Sequence, residues 1–294
     1  MKITDALATL KPGRKIEGMA AALLPFEASG QIAEEAFAAN LRATQAAGLT
    51  SAVNMDTGYV NLLNREEKQR VLALTREALG ADVPFVAGAY IEREDGDDPA
   101  ALWRREIEAV AAHGGTPILF QTARLHGKTA REKAAAYREA VRDVPQALAF
   151  ELGTMFAPNG EIFDEETVRQ IMDIPQITGM KHSSLDKAIE LGRLALKDRL
   201  RPEFVIYTGN DLGIDMVCHG SDYLLGLAAF SPESFAARDQ AWQNDDYDAY
   251  FPLADALQHL GNLAFRPPVP AYKHSAAVFL HLLGRLPTDR THPS

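Results

Sequence analysis

Eight short apolar runs, at residues 19–23, 51–54, 85–89, 117–120, 147–151, 177–181, 204–208 and 223–226, alternate with longer amphipathic segments almost from end to end. The segments at 33–47, 65–79, 99–112, 129–142, 165–172, 184–197 and 212–219 have helical length. In 65–79, Val71, Leu72, Leu74 and Leu79 fall roughly at helical spacing among charges. Parallel strands need crossover connections, so this alternation implies a parallel sheet flanked by helices. Eight repeats favour closure into a (β/α)8 barrel over an open doubly wound sheet. Two further helices are expected at 232–263 and 272–283. The expected organisation is a single domain: a barrel core over about 17–231, C-terminal helices over 232–285 and a loose tail at 286–294.

Composition removes several function classes. The 294 residues suit one α/β barrel, which typically needs roughly 250. A net charge of -10 argues against a nucleic-acid partner, which calls for clustered Lys and Arg. The single cysteine, Cys218, allows neither a disulfide within the chain nor a cysteine-based zinc site, and is expected to be buried filler. No run approaches the ~18 consecutive apolar residues of a membrane span. Residues 1–15 lack the apolar core of a signal peptide, so a cytoplasmic location is expected. There is no GxGxxG after the first strand and no GKS/GKT loop, and His113, His126, His219 and His274 show no HxH or HExxH spacing. No cofactor and no metal are therefore called for.

In such a barrel, chemistry sits where strands end and loops begin. Lys181 closes the sixth run, IPQITGMK. Alternation puts Lys181, Gly179 and Ile177 on one face and Met180 and Thr178 on the other. An inward lysine loses solvation, its pKa falls, and the neutral amine can attack a carbonyl to form an imine. The competing reading is a surface lysine paired on a rim. His182, next in the chain, should point to the opposite side and serve packing or a loop hydrogen bond.

The segment TGMKHSS resembles the G-[IV]-K-[DE]-[SA]-S segment of the dihydrodipicolinate synthase / N-acetylneuraminate lyase family. MAAALLPFEASGQI resembles that family's first strand and following turn, and MDTGYVNLLNREEKQRV its G-T-T-G-E segment. TGND resembles its G-D-D, and PPVPAYKHSAAVFLHLLG its C-terminal helix. The resemblance runs over nearly the whole chain. It implies a (β/α)8 lyase whose lysine, here Lys181, forms an imine with a small carbonyl substrate. It also implies a homo-oligomer, a dimer or tetramer.

Departures from the pattern matter for function. Asp56 replaces the first hydroxyl of the family's carboxylate-binding pair, while Thr57 is retained, followed by Gly58 and Tyr59. A carboxylate there would repel a pyruvate carboxylate and suits a substrate offering hydroxyls. Phe150 and Glu151 stand where the family has Tyr and Asn, and Phe120 and Gln121 where it has a further tyrosine. Phe150 cannot transfer a proton. Glu151, if a register shift turned it inward, Asp56, Tyr59 and Tyr90 are the candidates to replace it. Lys181, Asp56 and Glu151 are thus the candidate catalytic residues. Thr57, Gly58, Tyr59, Tyr90, Phe150, Asn210 and Gly226 are the candidates to bind substrate. Asn210 or Asp211 could hold hydroxyls or cap the following helix. Arg124 is expected in a loop salt bridge, with a substrate cation as the alternative.

The first functional reading is a Schiff-base lyase, an aldolase or dehydratase, acting on a hydroxylated keto acid or keto-sugar. Dihydrodipicolinate synthesis itself is not expected. The alternatives are a hydrolase or isomerase using Asp56 and Glu151 without an imine, and a non-catalytic carbohydrate-binding barrel.

Overall fold

Each apolar run pairs in parallel with the next, and the last returns to the first. In the computed structural model, which describes residues 7–294, the strands are β1 (Gly18–Ala21), β2 (Thr50–Val53), β3 (Phe85–Ala89), β4 (Thr116–Leu119), β5 (Ala147–Leu152), β6 (Ile177–Ser183), β7 (Val205–Thr208) and β8 (Asp222–Leu225). They close into a barrel in chain order, β8 pairing with β1 through Gly18 and Tyr223. Residues 1–6, part of the stretch read as lacking a signal peptide, lie outside the described residues.

The crossovers are α1 (Glu34–Ala46), α2 (Arg65–Leu79), α3 (Pro99–Ala112), α4 (Ala130–Val141), α5 (Glu165–Met172) and α6 (Lys187–Leu200). After the barrel come α7 (Pro232–Gln243), α8 (Tyr247–Ala264) and α9 (Tyr272–Leu282). Their starts follow from local chemistry. Asn64 with Glu67, and Thr129 with Glu132, form reciprocal capping boxes at α2 and α4. Asp98 caps α3 ahead of Pro99, and Asp186 caps α6. Among the described residues no helix is long and apolar enough to cross a membrane.

Side chains alternate between two buried layers. Ala21, Ala52, Val86, Ile118, Leu148 and Leu224 fill the barrel interior together with Phe120 and Phe150. Ala149, Met180 and Ile206 face outward against Ile171 of α5 and Leu194 of α6. The N-terminal end is plugged by Asp222 on β8, which accepts hydrogen bonds from Arg14 Nη2 (2.6 Å) and Glu17 N (3.0 Å). Among the described residues, the cavity that reaches the barrel interior lies at the C-terminal end.

Four expectations are corrected. Ile177 packs with Met180 in the outer layer rather than sharing the Lys181 face. The β5–β6 register steps from Ala147↔Ile177 to Leu148↔Gly179, so Thr178 is an extra residue that flips the strand's start. The helix expected at 212–219 is a 3₁₀ helix, Ile214–His219. The long helix expected at 232–263 is two, because Asp245 takes a positive φ of 55° and Asp246 caps α8 through Ala249 N (3.1 Å). The tail expected to be loose is docked. Leu286 is buried, Thr288 Oγ1 donates to Phe26 O (2.7 Å), and the His292 ring packs edge-on to Phe26.

Candidate active site

The barrel's alternation delivers Lys181 to the interior at the C-terminal end, paired in register with Phe150 on β5 and Tyr207 on β7. Its side chain is buried, and Nζ lies 4.4 Å from the centre of the Phe150 ring. It has no hydrogen bond or ion pair to another described residue. Loss of water pushes its pKa down from 10.5 to about 8, against the smaller upward pull of Asp211 and then Asp56. The aromatic face would favour an ammonium by about 0.5–2 kcal/mol. Burial outweighs it.

The cavity above Lys181 is narrow, with about 20 Å³ of free space, and Asp56, Thr57, Phe150, Ser183, Asp211 and Tyr272 are among its walls. Asp56, Leu152 and Phe156 also line a second chamber of about 80 Å³, which Tyr90 and Phe120 enter as an edge-to-face pair with centroids 5.5 Å apart. Gly209 makes room for the lysine: a Cβ there would sit 2.7 Å from Lys181 Cε and collide with Ser183 Oγ. Ser183 Oγ itself is buried without a hydrogen-bond partner. Such an orphaned hydroxyl costs about 1–3 kcal/mol unless something bonds it.

Asp56, on a 3₁₀ turn (Asp56–Gly58) after β2, is not a free carboxylate. Lys273 Nζ donates to its Oδ1 (3.0 Å) and Tyr272 hydroxyl to its Oδ2 (2.9 Å). With the phenol's one hydrogen so committed, the Thr57 hydroxyl donates to the phenol oxygen (2.8 Å). Gly226 lets this cluster form, since a Cβ there would lie 2.9 Å from Tyr272 Cε2 and 3.2 Å from Thr57 Oγ1.

Asp211, beneath the same cavity, accepts from Leu227 N (2.7 Å). Burial pushes its pKa up to about 7, the opposing pulls being that bond and Lys181. Because the Asp211 charge raises the Lys181 pKa, Asp211→Asn should lower it further. The pH midpoint for modification of Lys181 by a carbonyl reagent should move to the acid side of the wild-type value, followed by mass spectrometry across pH; a midpoint that stays or moves up would contradict this coupling.

Lys181, Asp56, Thr57, Phe150 and Gly226 therefore meet at one cavity, with Tyr90 in the adjoining chamber. Four expected residues do not. Glu151 is corrected: no register shift turns it inward, because the slip on β6 lies upstream and Glu151 pairs with outward-facing His182. It is fully buried outside the barrel, accepting from His182 Nδ1 (2.6 Å), Arg193 Nε (2.9 Å) and Phe163 N (2.8 Å). Tyr59 is also corrected. It ends the 3₁₀ turn at φ 59°, and its ring packs against Phe26 and His292 behind the cavity. Asn210 turns back to accept from Leu212 N (3.1 Å), so its neighbour Asp211 faces the cavity instead. Gly58 serves the backbone, its α-carbon held against Ala22 O, which a Cβ would approach to 3.2 Å.

Tyr272 and Lys273 were missed. The segment VPAYK carries them, but nothing local marks either as belonging to a site built on strands two and six. Arg124 is a strut, donating to the carbonyls of Ile91, Glu94 and Gly96. Cys218 is buried beside a wider groove, in contact with the Tyr250 hydroxyl at 2.9 Å, and burial raises its thiol pKa, so it is no ready nucleophile. Among the described residues no three His, Cys, Asp or Glu side chains converge as a metal site requires.

A closed (β/α)8 barrel is also the frame of the proteins this chain is similar to. A curated relative, 4-hydroxy-tetrahydrodipicolinate synthase of Synechococcus sp. (strain CC9605), is 26% identical over 274 residues, 90% of this chain and 85% of its own. Among solved structures, dihydrodipicolinate synthase of Bacteroides thetaiotaomicron shares the fold with a TM-score of 0.82 at 15% identity, over 95% of this chain and 92% of its own. A prophage protein of the dihydrodipicolinic acid synthase family from E. coli K12, solved with pyruvate, gives a TM-score of 0.81 at 15% identity, covering 95% and 91%. The chain belongs to the family described as protein of unknown function (DUF993), whose model matches residues 30–288, and is similar to the dihydrodipicolinate synthases.

Proposed function

We propose that the chain is a Schiff-base lyase, an aldolase or dehydratase, in which Lys181 condenses with the carbonyl of a small hydroxylated compound. The observation that carries this reading is the Lys181 amine itself, buried, free of ion pairs to the described residues and lowered to about 8 at the open end of the barrel. Its lone pair adds to the carbonyl carbon, and the oxygen takes one proton from the attacking nitrogen and a second from solvent and leaves as water. The resulting iminium is the acceptor for the electron pair released when the neighbouring C–C or C–O bond breaks.

The rest of the cavity favours a keto-sugar over pyruvate. Lys273 is spent on Asp56, and the Thr57 hydroxyl on Tyr272. Few donors are left to hold a substrate carboxylate. Asp56, Asp211 and the unpartnered Ser183 hydroxyl instead present acceptors suited to substrate hydroxyls. The relatives' synthase activity and the neighbour's pyruvate support imine chemistry on this frame, while Asp56 and Phe150 speak against the same substrate. A hydrolase or isomerase working through Asp56 and Glu151 would need both carboxylates in one cavity, and they lie on opposite sides of the sheet.

The test is borohydride reduction in the presence of a panel of 2-keto acids and keto-sugars, read by intact mass. Keto-sugars should leave a stable adduct on the wild type and none on Lys181→Ala. An adduct that survives Lys181→Ala would defeat the imine reading. So would the absence of any adduct, and ligand affinity without adduct or turnover would favour a binding barrel.

A further inference from the structure

Phe150, the ring that lies against the lysine, carries no proton to transfer, yet retro-aldol cleavage must remove a proton from a substrate hydroxyl and later return one to carbon. The described cavity holds one phenol, and it comes from outside the barrel. Tyr272 is the first residue of α9, buried, and clamped on three sides. Phe265 stacks on its ring face at 4.3 Å and 11°. Gly226 abuts its edge, and its hydroxyl is fixed between Thr57 (2.8 Å) and Asp56 (2.9 Å). Asp56 in turn is held by Lys273 (3.0 Å), the residue that follows Tyr272 on the same helix.

Resting on the imine reading above, we propose that Tyr272 is the proton-transferring residue of the Lys181 site, relaying protons between substrate and the Asp56 carboxylate. The polarity of its hydrogen bonds sets the direction. Its hydrogen already points at Asp56 Oδ2, and its oxygen, which accepts from Thr57, keeps a second lone pair for a substrate hydroxyl. In the cleavage step the hydroxyl two carbons from the iminium carbon gives its proton to the Tyr272 oxygen, and Tyr272 passes its own to Asp56. The hydroxyl oxygen becomes a carbonyl, the C–C bond breaks, its electron pair forms the new C=C bond, and the C=N π pair moves to nitrogen to give a neutral enamine. Run backwards, the relay delivers the proton from Asp56 through Tyr272 to the enamine carbon. No phenolate accumulates at any stage, which suits a phenol whose pKa burial and then Asp56 drive well above its usual value. Lys273 acts as a positioning residue: it fixes Oδ1 so that Oδ2 stays turned to the phenol.

The relay is tested apart from the imine by using dihydroxyacetone as the probe, measuring two rates on the same protein. One is borohydride trapping at Lys181; the other is exchange of the probe's carbon-bound hydrogens with deuterium oxide, followed by NMR. Tyr272→Phe removes only the hydroxyl, so trapping should persist while exchange falls by about 10²–10⁴-fold, the range a positioned acid–base group supplies. Asp56→Asn should give the same split, and circular dichroism checks that both variants fold. Exchange at the wild-type rate in Tyr272→Phe would overturn the relay and leave the imine standing. Neither adduct nor exchange in the wild type would remove both.

Discussion

Lys181→Met should unfold at higher urea than the wild type at pH 7, a gain of up to about 3 kcal/mol, while losing every trace of adduct formation. The magnitude follows from the pKa. An amine lowered from 10.5 to about 8 is protonated less readily in the folded chain than in the unfolded one. Between those values the unfolded state binds more protons, so wild-type stability rises with pH through that window. Below about pH 8 the full penalty of burying the ammonium is present, and near pH 7 it amounts to about 3 kcal/mol. Methionine keeps most of the volume and carries no charge, so the variant escapes that penalty. The advantage should therefore be largest at pH 7 and fade as pH approaches 10.5, measurable as two denaturation series at pH 7 and pH 10. Equal stability at pH 7 would mean that the amine is solvated, and the imine reading would lose its physical basis.

On the imine reading proposed above, the same penalty is what makes the amine useful. With a pKa of about 8, about one amine in ten is neutral at pH 7, against a few in ten thousand at the ordinary value. Stability is given up at the position where nucleophilicity is needed, with the closed barrel and its helices holding the arrangement in place.

Most of this frame was legible because it depends on short-range periodicity. Alternation along a strand puts residues two apart on one face, so Lys181 could be placed inside and His182 outside without knowing any partner. The same rule placed Phe150 inside and counted against Glu151. What failed were features with no local period. One extra residue, Thr178, reverses the start of β6, and hydropathy cannot register a bulge. The break between α7 and α8 was hinted at by the acidic run at Asp245 and Asp246, which favours a left-handed residue and a new cap over continuous helix. Tyr272 was invisible for a different reason. Its bond to Thr57 spans 215 positions and comes from a helix outside the repeat, so only closure of the chain brings the two together. Asp211 was open to view as part of TGND, but which of its two polar residues caps the turn and which faces the cavity depends on the turn's geometry.

Glu151→Ala should cost about 3–5 kcal/mol of folding stability and leave imine formation per folded molecule unchanged, because this carboxylate belongs to the wall of the barrel and not to its mouth. It is fully buried between β5 and the outer helices, where Arg193 of α6 and His182 of β6 converge on it. Arg193 also reaches the Phe163 carbonyl, so the carboxylate ties α6 and the segment before α5 to the sheet that carries Lys181. Removing it strands a guanidinium whose side chain is only 8% exposed. Burial pushes the Glu151 pKa up, but His182 and Arg193 outweigh it and hold it below 4.5. A carboxylate with a depressed pKa stabilises the fold above its unfolded value, and that contribution drains away as pH falls through the folded one. The wild type should therefore lose stability faster than Glu151→Ala as pH is taken below about 4.5, the two unfolding curves converging in acid. If the variant instead kept its stability at pH 7 and lost adduct formation, the carboxylate would have a part in the chemistry that its position behind the sheet denies it.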